Sequence, residues 1–153
     1  MKFRAFLPVL ALLAGTLLYG CGGPPPPVNL DLAISAGADQ NPDSAGKGSP
    51  VKVFLFQLNA TGKFEKADVF ALAERAQATL GTEMLAVEDF VLAPGENRSI
   101  QRELKTGTQF IGTVVFFRDI DRATWRGISP VGSATQVKKS LTIKGITSTL
   151  AAS

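Results

Sequence analysis

The chain has no histidine and only one cysteine among its 153 residues. Zinc sites built from cysteine and histidine, cysteine–histidine dyads and serine–histidine–acid triads are therefore excluded, and with them most acid/base and nucleophilic chemistry. Charge is also sparse: 19% of residues are charged and 45% are hydrophobic, which is globular rather than disordered composition, and the length suits one core.

The N-terminus carries a separate signal. Lys2 and Arg4 make a short basic start, and Ala5 to Tyr19 is an almost unbroken apolar run followed by small residues, the layout of a secretory signal peptide. The run is shorter than the roughly 20 residues a membrane-crossing helix needs, and Pro8 weakens a permanent span further. Leu18-Tyr19-Gly20-Cys21 closes the run and resembles the lipobox of bacterial lipoproteins, in which the cysteine is acylated and becomes the first residue after cleavage. Tyr19 stands where a small residue is usual. A lone thiol in an exported protein would otherwise be a liability, so Cys21 is the expected lipidation site. Gly22-Gly23 follow it in place of the aspartate that tends to retain lipoproteins at the inner membrane, which by that resemblance implies the outer membrane, facing the periplasm.

Loss of the leader removes Lys2 and Arg4 from 16 basic residues, leaving 14 against 13 acidic ones, so the net +3 of the whole chain falls to about +1. The remaining basic residues are scattered and Lys138-Lys139 is their one adjacent pair, a poor basis for nucleic-acid binding. Pro24 to Pro27 read as a stiff spacer of about 12 Å at roughly 3.1 Å per residue.

Val28 to Ile34 alternates apolar and polar residues, the pattern of a half-buried strand. Gly37 to Pro50 is rich in Gly, Pro, Asp, Ser and Asn and holds no large apolar residue, which predicts a long exposed loop outside the core. Val51 to Leu58 reads as a central strand, apolar on both faces apart from Lys52 and Gln57. Ala67 to Leu80 carries Val69, Leu72, Ala73, Ala76 and Leu80 at helical spacing, with Asp68 as N-cap and Gly81 as stop. Strand patterns return at Met84 to Leu92, Arg98 to Leu104, Phe110 to Phe117 and Val137 to Lys144, while Asp119 to Pro130 reads as irregular around a mostly buried Trp125. A series of short strands with one inserted helix predicts a mainly β fold, a two-sheet antiparallel β-sandwich. The expected organisation is a signal peptide over 1–20, a lipidated cysteine and Gly/Pro spacer over 21–27, a sandwich over 28–145 and a C-terminal tail over 146–153, whose weak pattern also allows an edge segment.

Four constellations bear on chemistry. Ser44-Ala45-Gly46-Lys47 and Lys105-Thr106-Gly107 match two short patterns of penicillin-binding serine enzymes, but the third, S-D-N, is missing and Ser44 lies in a loop rather than at a helix start. Asp39, Asn41 and Asp43 alternate like calcium ligands, yet Ser44 and Pro50 occupy the positions where an EF-hand needs glycine and glutamate. Asp119 with Asp121, and Glu88 with Asp89, read as solvated charges or turn formers. Arg118, Asp119, Arg122, Trp125 and Arg126 form a denser cluster, read as a structural corner with Trp125 as plug and an arginine–aspartate pair at its rim, in preference to a binding patch. No metal, cofactor or small-molecule substrate is implied.

Taken in order behind the lipobox, Asn41-Pro42-Asp43 with Gly46 and Ser49-Pro50, Val51 to Leu58, Phe64, Ala67-Asp68-Val69-Phe70, Leu80-Gly81, Pro94-Gly95-Glu96 and Phe116 to Ile120 with Trp125-Arg126 resemble the outer-membrane lipoproteins of type VI secretion systems, the TssJ family. The likeness runs over about residues 21 to 145, with Ala73 departing from the larger residue common near the helix middle. The resemblance implies a transthyretin-like sandwich with an added helical piece, no catalysis, and a structural role whose partner is the periplasmic C-terminal region of the inner-membrane component TssM. It also implies that the loop between the first two strands meets that partner, here through Asp39, Gln40, Asn41, Pro42, Asp43, Ser44, Gly46 and Lys47. The alternative reading is a periplasmic ligand-binding or carrier lipoprotein that uses the sandwich interior or the Trp125 corner, which a deep apolar cavity would support.

Overall fold

The structure, a computed structural model, describes residues 22–153. The expected signal peptide over 1–20 and the expected lipidation site Cys21 lie outside the described residues. Two four-stranded sheets face one another. The first contains β1 (Asn29–Ala36), β4 (Asn97–Glu103), β7 (Gln136–Lys144) and β8 (Thr147–Ala152) in the order β4-β1-β7-β8. The second contains β2 (Val51–Leu58), β3 (Met84–Leu92), β5 (Phe110–Phe116) and β6 (Arg126–Pro130) in the order β3-β2-β5-β6.

Alternation along β1 turns Leu30, Leu32 and Ile34 inward, where they meet Val53, Leu55, Ile111, Val115, Leu141 and Ile143 between the sheets. Strand β2 is apolar on both faces because it serves two cores. Its other face, Phe54, Phe56 and Leu58, is roofed by Phe64, Val69, Leu72 and Leu80 from the helical insertion between β2 and β3. Phe56 and Phe64 meet edge to face with centroids 5.2 Å apart, the arrangement favoured by ring quadrupoles.

The sandwich differs from the expected one in four respects. One strand pair, β1 with β7, is parallel, while the other pairs are antiparallel. The single helix expected over Ala67 to Leu80 is divided: α1 (Gly62–Lys66), α2 (Val69–Glu74) and α3 (Ala76–Leu80), then a 3-10 turn over Gly81–Glu83. Ala67 is extended at ψ 146°, and Arg75 leaves helical geometry at φ −136°. These bends let Phe64, Leu72 and Leu80 all reach zero exposure against a twisted sheet, which one straight stripe does not follow. Residues 147–152 are not a tail but the edge strand β8, paired with β7 from Lys144–Thr147 to Lys139–Ala152. Finally, β6 occupies part of the segment expected to be irregular, and Trp125 just before it packs against both cores, as its expected burial requires.

Asp68 caps α2 as expected, its carboxylate accepting the Ala71 N–H at 2.9 Å, and Gly81 ends α3 at φ +56°, a conformation that favours glycine. Asp68→Ala should cost about 1 kcal/mol, the usual worth of an N-cap, read as a lowered midpoint in urea with an unchanged slope. The open edge between β3 and β4 is closed by arginines that cross from one sheet to the other. Arg102 Nε donates to the Glu88 carboxylate at 3.0 Å, and an Arg98 Nη2 donates to the Val91 carbonyl at 3.2 Å. Both blunt an edge that would otherwise invite pairing. Lys139, on the inward face of β7, is buried and donates from Nζ to the Pro130 carbonyl at 2.7 Å.

Candidate docking loop

Strand β1 sets the two ends of the molecule. At its start the proline spacer, Pro25 to Pro27, lies against the turn Lys105 to Thr108. At its finish Ala36 opens the long loop. Eight residues at about 3.3 Å each place these ends roughly 26 Å apart. Loop and spacer are thus at opposite poles of the sandwich.

The loop has a buried root and an exposed tip, although its composition predicted exposure throughout. Gln40 and Asn41 are 0% and 4% exposed. Gln40 Nε2 donates to the Leu92 carbonyl at 2.9 Å and, more weakly, to Ser49 O at 3.3 Å. Asn41 Nδ2 donates to the Pro50 carbonyl, its Oδ1 accepts the Arg118 N–H, each at 2.8 Å, and its backbone N–H donates to Gly145 O at 2.7 Å. Amide side chains suit this task because they can satisfy backbone groups that would otherwise be buried without partners: Asn41 uses both its donor and its acceptor, Gln40 its donor alone. Asn41 also takes a positive φ of 46°, which asparagine tolerates better than most residues. At Gly48 a Cβ would overlap the Ala38 carbonyl, so the two arms of the loop close only around glycine.

Above this root, the Asp43 carboxylate accepts the N–H groups of Ala45 and Lys47, both at 2.9 Å, and the Asp43 N–H donates to Lys47 O at 2.8 Å. The tip is an Asp-nucleated turn that leaves Ser44, Ala45, Gly46 and Lys47 exposed. Of the residues expected to meet a partner, Asp39, Ser44, Gly46 and Lys47 are exposed and Pro42 and Asp43 half-buried, whereas Gln40 and Asn41 face inward. The same geometry removes the chemical alternatives. Ser44 and Lys47 share a turn, not a helix, while Lys105 to Gly107 lie at the opposite pole beside the spacer. Asp43 is engaged by backbone N–H groups and Asn41 by buried ones, and the described residues hold no group of three or more His, Cys, Asp or Glu fit for a metal.

Two further turns border the loop. Pro94 to Glu96 packs on its start, with Gly95 N–H donating to Gly37 O at 3.2 Å and Ala36 N–H to Glu96 O at 2.9 Å. The Ala93 N–H, and then the Arg98 guanidinium, hold the Glu96 carboxyl below its usual value. The segment from Arg118 to Trp125 forms a ridge across from the tip, where Arg122 Nε donates to Asp119 at 2.7 Å, the arginine–aspartate pair expected at this corner. Between tip and ridge runs a groove of about 430 Å³ lined by Pro42, Asp43, Ser44, Asp119, Arg122, Gly145 and Ile146. Arg118 is exposed and joins the site only through its N–H. Arg126 lies elsewhere: its guanidinium stacks 4.3 Å from the Trp125 ring and donates to the carbonyls of Glu65 and Ala67. Burial pushes that guanidinium below its ordinary value, though it remains charged.

The model of the type VI secretion lipoprotein family (VasD, EvfM, TssJ) matches residues 28–145. The chain belongs to this family. A crystal structure of the type VI secretion lipoprotein TssJ1 from Pseudomonas aeruginosa is 34% identical, with a TM-score of 0.80 over 84% of this chain and 98% of that one. A chain of a structure described as a type VI membrane complex is 27% identical with a TM-score of 0.72, covering 80% of this chain and 97% of its own length. A third, from a structure described as the TssM C-terminal domain from EAEC, is 26% identical with a TM-score of 0.65, covering 80% and 96%. No curated protein matches the chain. Family membership makes this a membrane-associated lipoprotein component of type VI secretion with a mainly β, two-sheet fold. Phe70 enters the sequence reading only within the Ala67-Asp68-Val69-Phe70 motif, because it stands off the Val69–Leu72–Ala76 stripe. It is 49% exposed, and an aromatic on the wrong face of an amphipathic segment is the signal that would have found it.

Proposed function

We propose that this protein is a lipid-anchored connector without catalytic activity. Cys21 carries the acyl chains that hold it at the outer membrane, the sandwich faces the periplasm, and the tip of the 37–50 loop docks the periplasmic C-terminal region of a TssM-type inner-membrane protein. The observation that carries this reading is the polarity of the fold, with the spacer at one pole and a braced, polar-tipped loop at the other. Anchor and docking element then act in line, and bracing lowers the entropy lost on binding. A carrier role would need room between the sheets, and Leu32, Val53, Ile111 and Leu141 fill that space at zero exposure.

The test is binding of the full chain in detergent to the partner's periplasmic region. Asp43→Ala, which releases the turn, and Lys47→Glu, which reverses an exposed charge, should each weaken binding about tenfold while leaving the melting temperature nearly unchanged. Affinity equal to that of the unaltered protein in both variants would refute docking through the loop tip.

A further inference from the structure

The 118–125 ridge has a second side. There, Asp68, Val69 and Phe70 of the helical insertion face Ile120, Asp121 and Trp125 across a groove of about 340 Å³. Val69, Phe70, Ile120 and Trp125 give it an apolar part beside the two aspartates, and Phe70 is 49% exposed, standing edge to face against Phe116 with centroids 5.5 Å apart. Arg126 covers one face of Trp125. A half-exposed phenylalanine beside a partly exposed tryptophan at a concave site is unusual on a free surface and common where a partner inserts a side chain. The rim is acidic. Asp68, whose carboxylate caps α2, and Asp121 stand at it, and among the described residues Asp121 is exposed and has no ion-pair partner. The volume sits at the low end for ligand pockets, enough for a side chain or two rather than a cofactor.

We propose that this groove is a second docking site for the same partner, and that it takes an extended segment presenting a large apolar side chain next to a lysine or arginine. The apolar side chain packs between Phe70 and Trp125, and the cation meets Asp121. A segment crossing the ridge from the loop-tip groove would engage both sides, so that two modest contacts act together. A negatively charged or wholly apolar segment does not fit, the first because of the two aspartates, the second because it would desolvate Asp121 without compensation.

This inference rests on the partner proposed above, and the test separates the two. The full chain in detergent is titrated with the partner's periplasmic region as unaltered protein, Asp43→Ala, Phe70→Ser and Asp121→Lys. Phe70→Ser should weaken binding about tenfold at all salt concentrations. Asp121→Lys should weaken it about tenfold at low salt, with the difference shrinking as salt rises, a response that altered folding would not give. If both groove variants bind like the unaltered protein while Asp43→Ala is weakened, the groove is not a docking site and the loop reading stands. If the unaltered protein does not bind, both readings fall.

Discussion

Replacing Cys21 with serine is expected to move the protein from the outer-membrane fraction to the soluble periplasm while leaving the sandwich folded. The argument is one of affinity. Each methylene buried in a bilayer contributes about 0.8 kcal/mol, and a single acyl chain gives only reversible attachment, so stable anchoring depends on several chains at one residue. No described helix is long and apolar enough to cross a membrane, and a mature charge near +1 gives weak attraction to anionic headgroups. Folding should not notice the change, because β1 begins at Asn29 and the spacer before it is exposed. On the proposed reading, serine at this position would also affect leader removal, so a companion protein beginning at Gly22 behind a cleavable, non-lipoprotein leader is needed. Both should show the same thermal transition as the acylated form. Retention of the companion protein in the outer membrane would refute lipid anchoring, since neither acyl chains nor the Ala5–Tyr19 run would be there to explain it.

The parts of this fold that were legible in the sequence are those where a single pattern decides the outcome. Period-two alternation placed Leu30, Leu32 and Ile34 in the core, and the doubly apolar β2 foretold a strand covered on both sides. Asp68 and Gly81 marked helix ends because capping is local chemistry. What was not legible depends on distant partners. Nothing in Val137 to Lys144 says that it pairs in parallel with β1, since pairing direction is fixed by chain routing rather than by strand composition. The weak pattern of Thr147 to Ala152 hid an edge strand, because only Ser148 there is buried and most of its stability comes from backbone bonds to β7. The loop misled in a more instructive way. Its polar composition excludes an apolar core but not a polar one, and Gln40 and Asn41 are buried because carbonyls and N–H groups from Leu92, Pro50, Arg118 and Gly145 converge on them. Polar residues with short amide side chains in a long loop are as well suited to bracing it as to binding through it.

That distinction leads to the largest stability effect expected from a single loop residue, at Asn41. Asn41→Ala removes the donor to Pro50 O and the acceptor for the Arg118 N–H, leaving two backbone groups poorly satisfied at about 1–3 kcal/mol each before relaxation or water entry. Alanine also holds a φ of 46° less readily, by roughly 1 kcal/mol. Allowing for partial relaxation, a loss of about 3 kcal/mol is expected, or roughly 10 °C in melting temperature for a domain of this size. Two companions separate the contributions. Asn41→Gly keeps the backbone conformation and loses both side-chain bonds, so it should recover only part of the loss. Asn41→Asp retains an acceptor for the Arg118 N–H but turns an oxygen toward Pro50 O, and should become less damaging as the pH falls and that carboxylate takes up a proton. A loss below about 1 kcal/mol for Asn41→Ala would show that the root does not depend on this side chain. Binding distinguishes bracing from contact. At a temperature where every variant is folded, Asn41→Ala should bind the partner region more weakly than Asp43→Ala, although Asn41 is buried and Asp43 lies at the tip. Unchanged binding by a destabilised Asn41→Ala protein would mean that the partner does not read the shape of the loop, and the tip residues would have to act as a flexible peptide instead.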